Sequence, residues 1–376
     1  MAGIYIHIPF CKQACSYCNF HFSTSLKLKN GFLDALLKEV DLRKDYLENA
    51  NVETVYFGGG TPSLLDAGEV ARVMETLNAA VNISADAEIT FESNPDDITT
   101  ARLSSWKQNG INRLSIGIQS FFKADLEWMN RAHNETQALD CIGLAHEAGF
   151  HNLSIDLIYG TPTLPDENWL KNLEKATSLN IPHLSCYALT VETGTALAAM
   201  IKKHKTPQVN SDDQARQFLL MADYLEAKGY EHYEISNFAL PGMRSRHNSS
   251  YWSGAKYIGL GPSAHSFNGT SRQWNIANNA LYIDALKNNR VPFEQEILSG
   301  NQRLNEYIMT SLRTMEGTDI KKTNQVFGRA ASENLVKHSK KFIERGWMQQ
   351  LSDRLVLTRE GKLFADGIAS ELFELA

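Results

Sequence analysis

The chain has 376 residues, 43% of them hydrophobic, and a formal net charge of −6, which leaves room for one large domain and a smaller second one and gives no chain-wide electrostatic footprint for nucleic acid. No stretch reaches the ~18 consecutive apolar residues needed to span a bilayer, so membrane contact is expected to be transient at most. Neither a secretory nor an Arg-rich transit segment opens the chain, and cysteines are few and odd in number, five in all, which points to a reducing, cytoplasmic setting.

The first apolar run, residues 4–8, reads as a buried strand and leads into Cys11, Cys15 and Cys18, three of the five cysteines inside one eight-residue window. Three thiolates on one short loop suit three irons of a [4Fe-4S] cluster and leave the fourth iron open to another molecule. On spacing alone a structural zinc completed by His7 or His21 is the alternative.

Short β-branched or apolar runs recur at 52–57, 87–91, 113–118, 153–158 and 183–189, with stretches of helical spacing at 28–49, 67–80, 100–109, 135–148 and 166–178. Such runs suit strands covered on both faces, and strand-then-helix repetition predicts a (β/α) barrel or an open wound sheet. In barrels of this type reactive groups collect where strands end. Those positions hold the cysteines, the string Gly58-Gly59-Gly60-Thr61-Pro62, Glu92-Ser93-Asn94-Pro95, Gly117-Ile118-Gln119-Ser120, Tyr159-Gly160-Thr161-Pro162 after Asp156, and Thr190-Val191-Glu192-Thr193. Their gathering on one rim favours a cofactor-bearing loop over a zinc staple. Cys141 and Cys186 stand apart on a predicted helix and strand, where cysteine is a small apolar filler.

Together these residues resemble the radical S-adenosylmethionine enzymes, whose signature is a C-x3-C-x2-C loop after the first strand of a partial barrel. The string Tyr5-Ile6-His7-Ile8-Pro9-Phe10-Cys11, the 58–62 loop, 117–120 and Asp156-Leu157-Ile158-Tyr159-Gly160 resemble the branch that holds the oxygen-independent coproporphyrinogen III oxidases and the HemW-type haem chaperones. The resemblance covers nearly the whole chain. It implies a partial (β/α)6 TIM-like radical-SAM barrel with a helical, winged-helix-like C-terminal domain. Two features separate the relatives. The oxidase pattern has a further cysteine two residues after the third, where this chain has Phe20, as the chaperones do. The run Arg246-His247-Asn248-Ser249-Ser250-Tyr251-Trp252 is similar to the chaperones' H-N-x-x-Y-W signature.

The resemblance implies roles for particular residues. Cys11, Cys15 and Cys18 would ligate the cluster, with S-adenosylmethionine on the open iron. Gly59 and Gly60 would bring backbone carbonyls to the cofactor's ammonium, and Thr61 adds a hydroxyl. Glu92 and Gln119 suit ribose hydroxyls, Arg131 a carboxylate, and Asp156 is counted with the cofactor site. Tyr5 and Tyr17 would pack on the cofactor or shield the iron. His247 is expected to bind haem, against the alternative of a hydrogen-bonded structural histidine, with Tyr251 and Trp252 offering apolar faces. No residue is assigned a catalytic role.

Three regions follow: a core barrel, 1–230, a connecting region with the histidine motif, 231–290, and a C-terminal domain, 291–376. In the last, helices precede a hairpin around 347–358, a winged-helix-like pattern with no dense basic face. The expectation is a haem chaperone without coproporphyrinogen oxidase activity, handing haem to acceptor proteins of the respiratory chain, with a reducing electron-transfer protein as a further partner and no nucleic acid. Oxygen-independent coproporphyrinogen III decarboxylation is the rival, and radical modification of transfer RNA ranks third.

Overall fold

Six strands pair in chain order through parallel ladders in the computed structural model, which describes residues 2–374: β1 Ala2–Ile8, β2 Val52–Gly59, β3 Ile83–Ser93, β4 Arg113–Gln119, β5 Leu153–Tyr159 and β6 His183–Ala188. Each coincides with a predicted run, the first five extended by one to six residues and β6 ending one residue earlier. Alternation along the strands decides what each face does. One parity, including Ile4, Ile6, Ile8, Val55, Phe57, Phe91, Leu114, Ile116, Ile155, Leu157 and Leu184, is buried in the main hydrophobic core with the helices. The other parity carries Tyr5, His7, Thr54, Tyr56, Glu88, Glu92, Arg113, Ser115, Ser154, Asp156, His183 and Ser185. Several of these bond to one another inside the curved sheet, as Tyr56 does to Glu92 and Ser154 to His183. The strands are therefore apolar outside and polar inside.

The intervening helices start where their caps predict. Ala67–Ala80 opens on a reciprocal box between Asp66 and Glu69, and Glu135–Glu147 on one between Asn134 and Gln137. The helix expected over 28–49 ends at Leu42. Its successor Arg43 turns inward to the Gly259 carbonyl, Ser266 and Gln273, and the chain leaves through Glu48 and Asn49 at positive φ. Cys141 and Cys186 are buried fillers.

The region 231–290 is more than a connection. β7 Glu231–Glu234 and β8 Asn237–Ala239 add antiparallel to β6. At the opposite edge β9 Lys256–Leu260 runs parallel beside β1, followed by β10 His265–Phe267, β11 Ser271–Asn275 and β12 Phe293–Ile297. The result is a twelve-stranded sheet, curled but open. It continues through Ile297, past the 290/291 boundary read from the pattern, and the change of architecture falls at the Ser299 cap of helix Gly300–Leu312. These strands are only three to five residues long, too short to stand out as runs, and β8, Asn237-Phe238-Ala239, is wholly buried between β6 and β7.

Beyond Ser299 the order is helix, β13 Thr318–Asp319, helices Ile320–Phe327 and Arg329–Glu344, then β14 Met348–Leu351 and β15 Arg354–Leu357. This winged-helix arrangement packs its own core, including Leu304, Ile308, Leu312, Leu335, Phe342 and Leu355. Arg244 bonds Glu316 at 2.7 Å, and Arg359 meets Asp223 and Glu226, tying it to the barrel. No helix among the described residues is long and apolar enough to cross a membrane.

Candidate functional site

The cysteine loop is held from several sides. The Cys11 N–H donates to the Ser23 carbonyl at 3.1 Å, the Ser16 N–H to Met129 at 3.1 Å, and the Leu197 N–H to the Ser16 carbonyl at 2.7 Å. Asn130 Nδ2 donates to the Ala14 carbonyl at 2.8 Å, while Lys12 pairs with Asp96. Arg131 ties the loop to the barrel: Nη1 lies 3.2 Å from the Cys15 sulfur, and Nη2 donates to Asn94 Oδ1 at 2.7 Å and to the Gly117 carbonyl at 2.9 Å. Burial pushes the Cys11 thiol up to about 11 and raises that of Cys18, so bare thiolates are disfavoured and a cationic partner is what would ionise them.

Among the described residues no three His, Cys, Asp or Glu side chains are grouped around a single ion position, these sulfurs included. They line a cavity of about 430 Å³ at the strand ends, which gives room for a polynuclear group and a small molecule beside it. The glycines let β1 and the start of the cysteine loop close up against the cavity's edge. A Cβ on Gly60 would stand 2.6 Å from the Phe10 carbonyl oxygen, and Gly59, at φ +101°, would put one 2.5 Å from the His7 ring. The donor set and its cradle fit a [4Fe-4S] cluster.

The same cavity receives Tyr17, Gly59, Gly60, Thr61, Glu92, Gln119, Arg131 and Asp156, together with the three cysteines. Gln119 holds φ +65° at the end of β4, a strained conformation that points to a site rather than to packing. Burial pushes the Glu92 carboxyl up to about 8, against the hydrogen bond that Tyr56 donates to it at 2.7 Å, and pushes Asp156 up to about 6, against its bond from Ser185. Asn94, which bridges Arg131 and Thr61, had no role in the sequence reading although it lay in the quoted Glu92–Pro95 string. Ser115 and Tyr187 also line the cavity and carried no signal.

A second, larger cavity of about 770 Å³ lies between β1, the β9–β11 edge and the winged-helix domain. Aromatic rings of Tyr5, Tyr251, Trp252, Tyr257, Phe267, Tyr307 and Phe327 line it, with His7, His21, His265, Arg272, Arg303, Glu306 and Lys322 among them. Asn19 and Phe20 line both cavities, so the tail of the cysteine loop divides them, and Phe20 is 66% exposed there. Tyr5, expected at the S-adenosylmethionine site, lines this second cavity and not the first.

His247 lines neither. It is 1% exposed, its Nδ1 pairs with Thr54 Oγ1 at 2.8 Å and its Nε2 with the Tyr251 hydroxyl at 2.8 Å. Its ring stacks on Tyr56 at 4.9 Å, and burial, with the charge of Arg113, pushes it down to about 3, so it is neutral. The residue expected to bind haem is thus a buried, doubly bonded imidazole whose link to the larger cavity runs through Tyr251.

Residues 5–191 match the family described as the Radical SAM superfamily, and residues 298–364 the HemN C-terminal domain. A protein of Mycobacterium tuberculosis named heme chaperone HemW is 33% identical over 98% of this chain and 94% of its own length. One of the same name from Escherichia coli is 32% identical over 99% and 97%. Among solved structures, one titled as coproporphyrinogen III oxidase (HemN) from Escherichia coli, a radical SAM enzyme, superposes with TM-score 0.86 at 24% identity, covering 99% of this chain and 90% of that one. That likeness concerns the fold.

Proposed function

We propose, from the premise that this chain belongs to the radical SAM superfamily and to the family of the proteins named heme chaperone HemW, that it is a haem chaperone. Cys11, Cys15 and Cys18 hold a [4Fe-4S] cluster, and the rest of the 430 Å³ cavity takes S-adenosylmethionine, with Arg131 for its carboxylate and Glu92 and Gln119 for its ribose. When bound, the cluster supplies one-electron chemistry, which calls for a reducing electron-transfer partner. Haem occupies the neighbouring cavity and passes to acceptor proteins of the respiratory chain, in a setting read as cytoplasmic.

The observation that carries this reading is the 770 Å³ aromatic cavity beside the cluster loop. Its size falls in the range of about 300–1,000 Å³ that encloses cofactor-sized ligands. Flat apolar rings suit a porphyrin face, and Arg303 and Lys322 suit its carboxylates. Phe20, where the oxidase pattern carries a cysteine, weighs against decarboxylase chemistry. The test is a pair of anaerobic assays on the reconstituted protein, one a haem titration and the other incubation with coproporphyrinogen, reductant and S-adenosylmethionine. Saturable haem binding without protoporphyrinogen formation is expected. Robust protoporphyrinogen formation would replace this reading with the decarboxylase.

A further inference from the structure

Lys202, Lys203 and Lys205 stand exposed together at the end of helix Ala196–Lys202, and no acidic residue lies between Glu192 and Asp212, in a chain whose net charge is −6. Among the described residues none of the three ammonium groups has an ion pair or a hydrogen bond, whereas Lys123, Lys171 and Arg216 on other barrel helices each have a carboxylate partner. The turn that presents them is built. His204 takes φ +54°, and the Lys205 N–H donates to the Met200 carbonyl and the His204 N–H to that of Ile201, both at 2.9 Å, which closes the helix as a Schellman motif does. Trp128 Nε1 donates to Thr206 Oγ1 at 2.9 Å and pins the exit. The helix's carbonyl end accounts for one cation in its last turn, Lys202, and not for three. The same helix is joined to the cysteine loop. The Leu197 N–H donates to the carbonyl of Ser16, the neighbour of Cys15, at 2.7 Å, and Tyr17, beside Cys18, packs with Met200 and Ile201 against the small core that holds Leu126 and Leu197. From Leu197 to Lys202 the helix advances only about 7.5 Å.

We infer that this basic helix end is the docking surface for the protein that reduces the cluster, and that this partner is a small one-electron carrier with an acidic face. The inference rests on the reading in which Cys11, Cys15 and Cys18 hold a [4Fe-4S] cluster supplied with electrons from outside. The step moves one electron: the carrier is oxidised by one unit, the cluster is reduced by one, and no atom is transferred. The three lysines line neither cavity, so a carrier seated on them blocks no ligand, and the Ser16–Leu197 bond ties its seat to the cluster-bearing loop. Charge complementarity sets the sign of the partner's face and acts chiefly on the rate of encounter, which salt suppresses. A lipid surface calls for about four to eight cations or an apolar face that inserts beside them. The exposed residues here, Lys202 to Lys205 with Pro207 and Gln208, supply neither.

The experiment takes an acidic flavodoxin as the carrier and compares the parent with a triple variant, Lys202→Glu, Lys203→Glu and Lys205→Glu. Carrier binding is read by calorimetry on the cluster-free full chain, and cluster reduction by stopped-flow absorption on the reconstituted chain, each at low and at high salt. Dithionite, which needs no docking, reports whether the cluster is intact. The parent is expected to bind the carrier and to be reduced by it faster at low salt than at high salt. The variant is expected to bind at least about tenfold more weakly and to be reduced at least about tenfold more slowly at low salt, with equal dithionite rates. The neutral triple, Lys202→Gln, Lys203→Gln and Lys205→Gln, is expected between the two and decides the matter should the charge reversal fail to fold. Equal carrier binding and equal reduction in parent and variants overturn the inference. So does a variant that loses only its binding to anionic phospholipid vesicles, which would give the lysines to a membrane. A parent that assembles no cluster overturns the cluster reading itself, and the inference with it.

Discussion

The Arg131 guanidinium reaches across the barrel mouth to Cys15, with Nη1 3.2 Å from the sulfur, while Nη2 is anchored on Asn94 and the Gly117 carbonyl. One side chain thus couples the cluster loop to the ends of β3 and β4. Lysine cannot reproduce that fork, because it offers a point charge in place of a planar pair of nitrogens. Arg131→Lys is expected to hold iron about tenfold to a hundredfold less tightly. Iron release to a chelator, timed in the reconstituted protein and its variant, checks this, and equal release would dissociate Arg131 from the cluster.

Gly60→Ala is expected to fail at the backbone. The added methyl would sit 2.6 Å from the Phe10 carbonyl oxygen and 2.7 Å from that of Ile8, main-chain atoms that cannot yield without moving Cys11. Overpacking of this kind costs about 1–3 kcal/mol. A lower melting temperature together with reduced iron content is the expected outcome, and wild-type iron content would contradict it.

Glu92 and Asp156 make the stability of the cofactor-free chain depend on pH. Below about pH 4.5 the Glu92 carboxyl is protonated in folded and unfolded chains alike; between 4.5 and about 8 the folded chain keeps a proton that the unfolded chain releases, so stability falls as pH rises. Asp156 acts in the same direction from 3.8 to about 6. Glu92→Gln keeps an acceptor for the Tyr56 hydroxyl and removes the ionisation. Its melting temperature is expected to fall less than the parent's between pH 6 and pH 8, and parallel curves would contradict the assignment.

Phe20 should act on haem and leave the cluster alone. It forms part of the divider between the two cavities and ligates nothing. Phe20→Ala is expected to release haem about tenfold faster, the equivalent of roughly 1.4 kcal/mol of lost apolar contact, with cluster absorption unchanged. Stopped-flow transfer to a haem scavenger reads the rate.

Replacing Cys11, Cys15 and Cys18 by alanine separates the two cavities in the other direction. The triple variant is expected to lose cluster absorption and iron while still titrating with haem, because the cysteines line only the smaller cavity. Loss of both would show that the sites are not independent.

The parallel strands and the rim were legible in the sequence because both obey simple periodicities. Apolar runs marked the strands, and of the positions read at their ends Cys11, Gly60, Thr61, Glu92, Gln119 and Glu192 line one cavity, with Asp156 from inside β5, whereas Tyr159 to Pro162 do not. The barrel's polar inner face was not legible, since Thr54, Glu88, Arg113 and His183 sit at alternate positions within runs that read as continuously apolar. Nor were β8, β10 and β11, which are only three to five residues long. His247 could be found by motif, but its depth behind Tyr251 depends on Thr54 and Glu88, 193 and 159 residues away in sequence. The larger cavity joins β1, the β9–β11 edge and the winged-helix domain, so no local window contains it.

The most direct measurement is haem transfer. The anaerobically reconstituted protein is loaded with one equivalent of haem, freed of excess, and mixed with an apo-haemoprotein acceptor while absorption follows which protein holds the iron. The account predicts that haem stays bound when the loaded protein is alone and moves to the acceptor on mixing. A chain that fails to retain haem, or retains it and never yields it, would contradict its being a haem chaperone.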